Sequence, residues 1–468
     1  MGKLSELLPF RVFHYFEEIC AIPHGSGDTA RISDYCVDFA NRHGLWVQQD
    51  ELGNVMIRKA AAAGYETHPP VILQGHLDMV CEKAAECSID FATDGLAVDT
   101  DVEWVFAHGT TLGGDDGIAV AMALAILEAN DLCHPPLEVL FTVDEETGMY
   151  GAEGLAPNCL AGRRLINIDS EEEGVLTVSC AGGARAEIIL PLTYAPVEAP
   201  SYYVRVDGLQ GGHSGVEIDK GRLNANVVMG EFLKTLDCRI VSVNGGLKDN
   251  AIPVLCEAIV TSDEDVASAA AAFAVAHRVA GDPHLTITAE STIADVAMDA
   301  ESTCRVVDFL TTVPNGVQAM SEDISGLVQT SLNLGILTTD GNTLCASFAV
   351  RSSVNEEKAA LLDRLAEVAA VYGGTYSSHG HYPAWEYAKE SHLRDVMCRV
   401  WEQQTGNAPA VVAIHAGLEC GLLCEKLEGL DAVSIGPDMQ DIHTCRERLS
   451  IASTKRVYDY LLEVLRQL

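Results

Sequence analysis

The sequence predicts an α/β protein of two or three domains, and three observations carry that reading. Between residues 45 and 169, short apolar strand-like runs alternate with helical stretches. Carboxylates and histidines recur just past the ends of those runs, where open α/β sheets place their sites. Near Leu192 the pattern changes to alternating strands and glycine-rich turns, as expected of a second α/β layer domain. With 468 residues, 48% of them hydrophobic, the chain has ample material for a large core.

Residues 6–20 read as a helix, ended by the loop Ile22-Pro23-His24-Gly25-Ser26-Gly27. A second helix, 29–41, places Ile32, Tyr35, Cys36 and Phe39 on one stripe. Short strands follow at 45–48 and 55–58. The run Val71-Ile72-Leu73-Gln74-Gly75-His76-Leu77-Asp78 is then long enough for one buried strand. The loop 110–117 feeds a helix over 118–130, and strand 137–143 runs into Asp144-Glu145-Glu146-Thr147-Gly148. Strand 164–168 ends at Asp169. Further on, 202–206 alternates, and the glycine-rich turn 208–215 leads into a helix reaching 236. Strands at 285–289 and 344–349 and helices at 265–276 and 356–370 belong to the same style. A helix over 391–403, strands at 411–415 and 432–436, His443 and a closing helix over 450–465 complete the chain. There is no internal repeat; the only low-complexity run is Ala60–Ala63.

The net charge of −38, with a pI near 4.6, argues against nucleic acid or anionic membranes as partners, yet tolerates bound divalent cations. It is equally a solubility feature or a mark of a salty habitat. The first residues show no signal-peptide pattern, and Ser5 falls one place short of a myristoylation signal. The longest apolar segments, 118–127 and 266–275, are too short to span a bilayer. Fifteen cysteines lie scattered; Cys420 and Cys424 are spaced wider than the usual structural-zinc or redox pair. A reducing cytosol with inert thiols is the expected setting.

His76 and Asp78 stand two residues apart, so in an extended chain they face one site. One imidazole nitrogen can then hold a metal while a nearby carboxylate fixes the ring. Alone, the pair also fits a strand end with two solvated groups. Asp115, Asp116, Glu145, Glu146, Asp169 and His443 occupy similar positions. Gathering so many carboxylates is costly unless cations neutralise them, and two divalent ions with mixed imidazole and carboxylate ligands would do so. Separate acidic turns in a chain with 68 acidic residues are the plainer alternative. Neighbouring Glu145 and Glu146 point in different directions when extended, so one can grip an ion while the other faces substrate as a proton carrier.

These residues carry a resemblance. Gly75-His76-Leu77-Asp78-Met79-Val80, Leu112-Gly113-Gly114-Asp115-Asp116-Gly117, Thr142-Val143-Asp144-Glu145-Glu146-Thr147-Gly148, Asn167-Ile168-Asp169, Gly211-Gly212-His213-Ser214-Gly215 and Ile442-His443-Thr444 appear in an order that spans nearly the whole chain. Together they resemble the M20 family of co-catalytic zinc metallopeptidases, in its branch of cytosolic Xaa-His (aminoacyl-histidine) dipeptidases. The resemblance implies a catalytic domain with a mixed central sheet and helices on both faces, over 1–185 and 386–468, interrupted by an α/β lid and dimerisation domain over 186–385. It implies two zinc ions, replaceable by manganese or cobalt: His76 and Asp169 on one, Glu146 and His443 on the other, Asp115 bridging. Asp78 would support His76, Glu145 would act as general base and acid, and the Asp115–Asp116 peptide would be cis. His213 would steady the oxyanion across a homodimer. Two departures stand out: many members carry Asp-Asn where this chain has Asp115-Asp116, and His-Ser-Pro-Glu where it has His443-Thr444-Cys445-Arg446-Glu447. Cys445 is read as a packing residue.

A free dipeptide substrate needs fixed polar partners at both ends. Asn250, Arg351, Ser434 and Gly436 are the candidates for its carboxylate side, with Arg351 offering a bidentate pair or merely a surface strand arginine. His415 and Glu419 either line the pocket for the substrate's N-terminus or pair across a helical turn. The principal expectation is therefore a cytoplasmic zinc dipeptidase acting on unblocked dipeptides. Its alternatives are another amidohydrolase of the same type (tripeptidase, carboxypeptidase or N-acyl amino acid deacylase) or a non-enzymatic binding protein on the same scaffold. The last would require loss of the base or the bridge, and both Glu145 and Asp115 are present.

Overall fold

The computed structural model describes residues 2–468, which fall into two compact units. The first contains the chain up to Ser179 with Tyr387–Ala413 and Leu418–Leu468. The second contains Cys180–Glu386 with Ile414–Gly417.

The first unit is built on an eight-stranded sheet. Its spatial order is Trp46–Gln49, Val55–Lys59, Leu137–Thr142, Val71–His76, Arg164–Asn167, Asp431–Ser434, Val175–Cys180 and Ala410–Ile414. Val71–His76 pairs in parallel with both its neighbours, while Val55–Lys59 pairs antiparallel with Leu137–Thr142, so the sheet is mixed. All six residues of Val71–His76 are buried, which requires cover on both faces and explains the unbroken apolar run.

The helix Gly114–Glu128 is buried nearly all round, in keeping with its lack of a polar stripe. It starts earlier than the periodicity predicts. Asp115 (φ −83°, ψ 104°) and Asp116 (φ −118°, ψ 28°) depart from helical torsions, and the peptide between them is cis, so this first turn is shaped as site and not as helix. The first helix, Phe10–Cys20, begins later than predicted, directly after extended Pro9 (φ −77°, ψ 128°). A helix begun at residue 6 would have placed that ring where it collides with the preceding turn.

Several elements escaped the sequence, among them the sheet strand Val175–Cys180, the helix Glu419–Lys426 and a small second sheet. Met439–Gln440, Arg448–Ser450, Trp104–Ala107 and Val98–Thr100 form a small antiparallel sheet whose strands are too short to show periodicity. It frames the loop 441–447, which carries His443.

The second unit holds a nine-stranded antiparallel sheet running from the edge strand Thr286–Thr292 to Thr375–Tyr382, with Gly316–Met320 paired beside the path. Four helices, Ala225–Leu233, Val266–Ala276, Ala300–Thr312 and Asn355–Val371, share a core with it. The first is shorter than predicted: residues after His213 form turns, and the helix starts only where the Asn224 side chain accepts the backbone N–H groups of Asn226 and Val227. Among the described residues, no helix is long and apolar enough to cross a membrane.

Candidate metal centre

The ends of the parallel strands bring the predicted residues of the first unit together. His76, buried at the end of its strand, places Nδ1 2.9 Å from the backbone carbonyl of Asp78. Donation there leaves Nε2 with its lone pair directed at the carboxylates, the tautomer a metal ligand needs. Nε2 lies 3.1 Å from Asp115 Oδ1 and 3.7 Å from Asp169 Oδ1. The other Asp115 oxygen, Oδ2, lies 3.1 Å from His443 Nε2, which is in turn 2.9 Å from Glu146 Oε1. One carboxylate thus spans two imidazoles.

Three sets of side chains, His76/Asp116/Asp169, His76/Glu145/Glu146 and Asp115/Glu146/His443, each hold their donor atoms within 4.8 Å of one another. Nitrogen and oxygen donors about 2.0–2.1 Å from a common tetrahedral ion stand roughly 3.3 Å apart. The separations here bracket that value, and the donors suit a borderline divalent cation, so the residues fit a metal centre.

Electrostatics point the same way. Burial lifts Asp169 and Asp116 well above the usual carboxylate range, with their mutual repulsion and that of Asp115 adding to it. Glu145 is pushed up to about 8, first by burial and then by Glu419, Glu146 and Asp115 against the pull of His76. Hydrogen bonds to Asp115 and Glu146 push His443 up to about 10. Carboxylates this crowded call for positive charge.

Asp78 does more than face His76. Its carboxylate is 3.4 Å from His76 Nδ1, farther than its own carbonyl, and it accepts the backbone N–H groups of Glu145 (3.0 Å) and Glu146 (3.3 Å) and the hydroxyl of Ser26 (2.8 Å). The turn bearing the two glutamates begins at Asp144, left-handed at φ 55°, whose carboxylate accepts Gly27 N–H at 2.6 Å. The loop after the first helix is therefore tied to the site, a link the sequence did not suggest.

The other predicted residues divide. Glu419, Ser434 and Gly436 belong to the first unit, but the two side chains face inward. Glu419 accepts Gln74 Nε2 and Thr142 Oγ1, each at 2.6 Å, and Ser434 shares a 2.8 Å hydroxyl contact with Ser170. Gly436 lies so close to the Ser170 carbonyl that a Cβ there would stand 1.5 Å from its oxygen. These residues support the strand ends below the centre. The helix begins at Glu419, and His415, in the second unit, bonds Ser331 Oγ at 2.7 Å instead of pairing across a helical turn.

Within the second unit, His213, Asn250, Arg351 and His415 gather. His213 Nδ1 accepts backbone N–H groups from Gly215 (3.2 Å) and Val216 (3.3 Å), which leaves its proton on Nε2, free to donate. Ser214 N–H donates to the Asn250 carbonyl at 2.9 Å, while Asn333 holds the carbonyls on either side of Asn250. Burial, Arg351 and His213 push His415 down to about 4. Arg351 Nη1 donates to Tyr382 Oη at 3.1 Å.

Gln74 and Glu447 were missed in the sequence, and Asp116, grouped there with the other carboxylates, was given no role of its own. Asp116 is fully buried and accepts the His76 backbone N–H at 3.1 Å. Gln74 had a signal, being a polar residue within an apolar strand. Glu447 had none among so many acidic residues.

The fold and this centre are those of a metallopeptidase: residues 72–467 match Peptidase family M20/M25/M40, and the chain belongs to that family. It is 36% identical over 482 aligned positions to the cytosol non-specific dipeptidase of Escherichia coli (strain K12), covering 100% of this chain and 99% of that one. The crystal structure of aminoacylhistidine dipeptidase from Vibrio alginolyticus superimposes with a TM-score of 0.94 at 34% identity, over 100% of this chain and 98% of the other. Aminopeptidase PepT from Bacillus cereus shares the fold at 14% identity and a TM-score of 0.57, over 98% and 99% of the two chains. The protein is thus a peptidase with a divalent-metal centre, as the resemblance implied.

Proposed function

We propose that the protein is a cytoplasmic dipeptidase that hydrolyses unblocked dipeptides, Xaa-His among them, at a two-zinc centre. The observation that carries the reading is Asp115, whose two carboxylate oxygens each lie 3.1 Å from a different imidazole. Its two full-length relatives at 34–36% identity, both named dipeptidases, support the substrate class. His76 and Asp169 would hold one ion, Glu146 and His443 the other, and Asp115 both; manganese or cobalt suits the same donors. Bound ions supply Lewis acidity to the attacking water and the scissile carbonyl.

The protein's own groups handle the protons. Glu145, raised toward neutrality, takes the proton of the attacking water and returns it to the departing amine. Asp78 orients Glu145 and Glu146 through their backbone N–H groups. His213, protonated on Nε2, donates to the oxygen on which negative charge develops, acting across a homodimer. Asn250, Arg351 and His415 recognise the substrate's termini, while Glu419, Ser434 and Gly436 brace the strand ends from within.

The reading is tested by measuring amine release from free dipeptides, β-Ala-His, tripeptides and N-acetyl amino acids, with protein stripped by chelation and then reloaded with zinc. Zinc-restored cleavage confined to free dipeptides is expected. Cleavage of N-acetyl substrates alone would make the protein a deacylase, and cleavage of longer peptides a tripeptidase or carboxypeptidase.

A further inference from the structure

Glu447 is nearly fully buried, at 3% exposure, yet among the described residues no cationic side chain pairs with it. Its partners are four consecutive backbone N–H groups. Oε2 accepts from Leu112 at 2.7 Å and Gly113 at 3.1 Å; Oε1 accepts from Gly114 at 2.8 Å and Asp115 at 3.4 Å. Such a run of convergent N–H groups makes an anion cradle. Here the anion is a side chain from more than 330 residues away in sequence. Both oxygens are committed to N–H donors, so Glu447 is not placed to be a ligand itself.

What it grips is the backbone of the carboxylate that spans the two imidazoles. What carries it is the 441–447 loop, four residues beyond His443. Within the loop, Thr444 Oγ1 donates to the Asp441 carbonyl at 2.7 Å and accepts Arg446 N–H at 3.1 Å, but these bonds are local and do not anchor it to the Asp115 turn. Asp441 (φ 53°) and His443 (φ 59°) are both left-handed, a conformation unfavourable for residues with a Cβ. The short strands Met439–Gln440 and Arg448–Ser450 hold its ends, and Glu447 N–H closes a turn onto the Thr444 carbonyl at 3.1 Å. Among the described residues, the bonds that tie this loop to the Asp115 backbone are those of the Glu447 cradle.

We propose that Glu447 is a positioning residue for metal binding: it locks the His443 loop to the Asp115 turn and so sets the spacing of Asp115, Glu146 and His443. His76 and Asp169 sit on other strand ends, so the first ion feels this lock only through the shared Asp115, whereas the second also takes His443 from the locked loop. The inference rests on the two-ion reading above, and it predicts unequal damage to the two ions. In Glu447→Gln, an amide nitrogen replaces one oxygen and meets two N–H donors, so two of the four bonds are lost whichever way the amide turns.

The test is a zinc titration of the full-length, chelator-stripped protein against a competing chromogenic chelator, with circular dichroism and thermal unfolding of the stripped protein alongside. The unaltered protein is expected to bind two ions. Glu447→Gln should fold and keep one ion at close to its original affinity, while the other weakens ~10–100-fold, the usual effect of losing a partner that orients ligands. If both affinities stay within about twofold, the lock is overturned, even if the variant melts earlier. Should Glu447→Gln fail to fold, Gly114→Ala decides. Its added methyl would stand 3.2 Å from Glu447 Oε1 and from Met439 Sδ, pressing on the cradle from the other side, and it should weaken the same single ion. Unchanged affinities in that variant would overturn the proposal. Fewer than two ions on the unaltered protein would instead overturn the two-ion reading itself.

Discussion

Gln74 donates to Glu419 across 2.6 Å in a place that water does not reach. The same Gln74 accepts from Asn167 Nδ2 at 2.6 Å, and Glu419 also accepts from Thr142. This buried polar chain crosses three neighbouring parallel strands two or three residues before His76, Glu145 and Asp169. Glu419→Ala would strand two buried donors at about 1–3 kcal/mol each, so a loss of roughly 3 kcal/mol is expected in urea unfolding. Glu419→Gln, which keeps one acceptor, should lose less.

Glu145→Ala removes the proposed proton carrier without touching the spanning carboxylate. Turnover should fall by a factor of ~10²–10⁴ while two zinc ions remain bound. Near-normal turnover would remove Glu145 from the mechanism.

Gly215 lies where an added Cβ would stand 2.4 Å from the His415 carbonyl and 2.9 Å from the His213 ring. Gly215→Ala should therefore destabilise the second unit by ~1–3 kcal/mol and displace His213. His213→Ala, with the backbone intact, should lower kcat ~10²–10³-fold and leave KM nearly unchanged. Steady-state kinetics on both variants separates the two effects.

His415 sets a pH dependence. Its pKa, ordinarily 6.5, is pushed down to about 4 by burial, Arg351 and His213, so the folded protein holds it neutral while the unfolded chain protonates it more readily. Its contribution is complete above pH 6.5 and is lost as the pH falls toward 4, by roughly 3 kcal/mol in all. Unfolding of metal-stripped protein across this range should show a shallower slope in His415→Asn than in the unaltered chain. Parallel slopes would contradict the assignment.

Removing metal leaves Asp115, Glu146 and Asp169 facing one another with only two imidazoles between them. The stripped protein should melt earlier, and zinc at about 100 times its dissociation constant should restore roughly 2.7 kcal/mol per site. Differential scanning fluorimetry with and without chelator measures this directly.

Much of this site was visible in the chain. Strand ends announce themselves when a buried apolar run stops at a polar group, and His76, Glu145 and Asp169 all stand just beyond such stops. The α/β character and a second α/β domain followed from the same patterning, whereas the mixed sheet and the insertion were implied by the family resemblance. The inward turn of Glu419 and Ser434 was not visible, because burial of a polar side chain depends on partners such as Gln74 and Ser170 that are remote in sequence. Glu447 was hidden for a related reason: a carboxylate that binds only backbone N–H groups leaves no signature in its partners' side chains. The small sheet around His443 was too short for any periodicity.

His443 and Asp115 are 328 residues apart, with the entire second unit between them. During synthesis the chain emerges N-terminus first, so Asp115, Glu145, Glu146 and Asp169 can fold well before the loop that carries His443 and Glu447 exists. Under the proposed reading, the ribosome-bound intermediate is a hydrolase with its second metal position still unmade. The capacity to cleave is thereby completed last, after all but the final few dozen residues of the chain have been made.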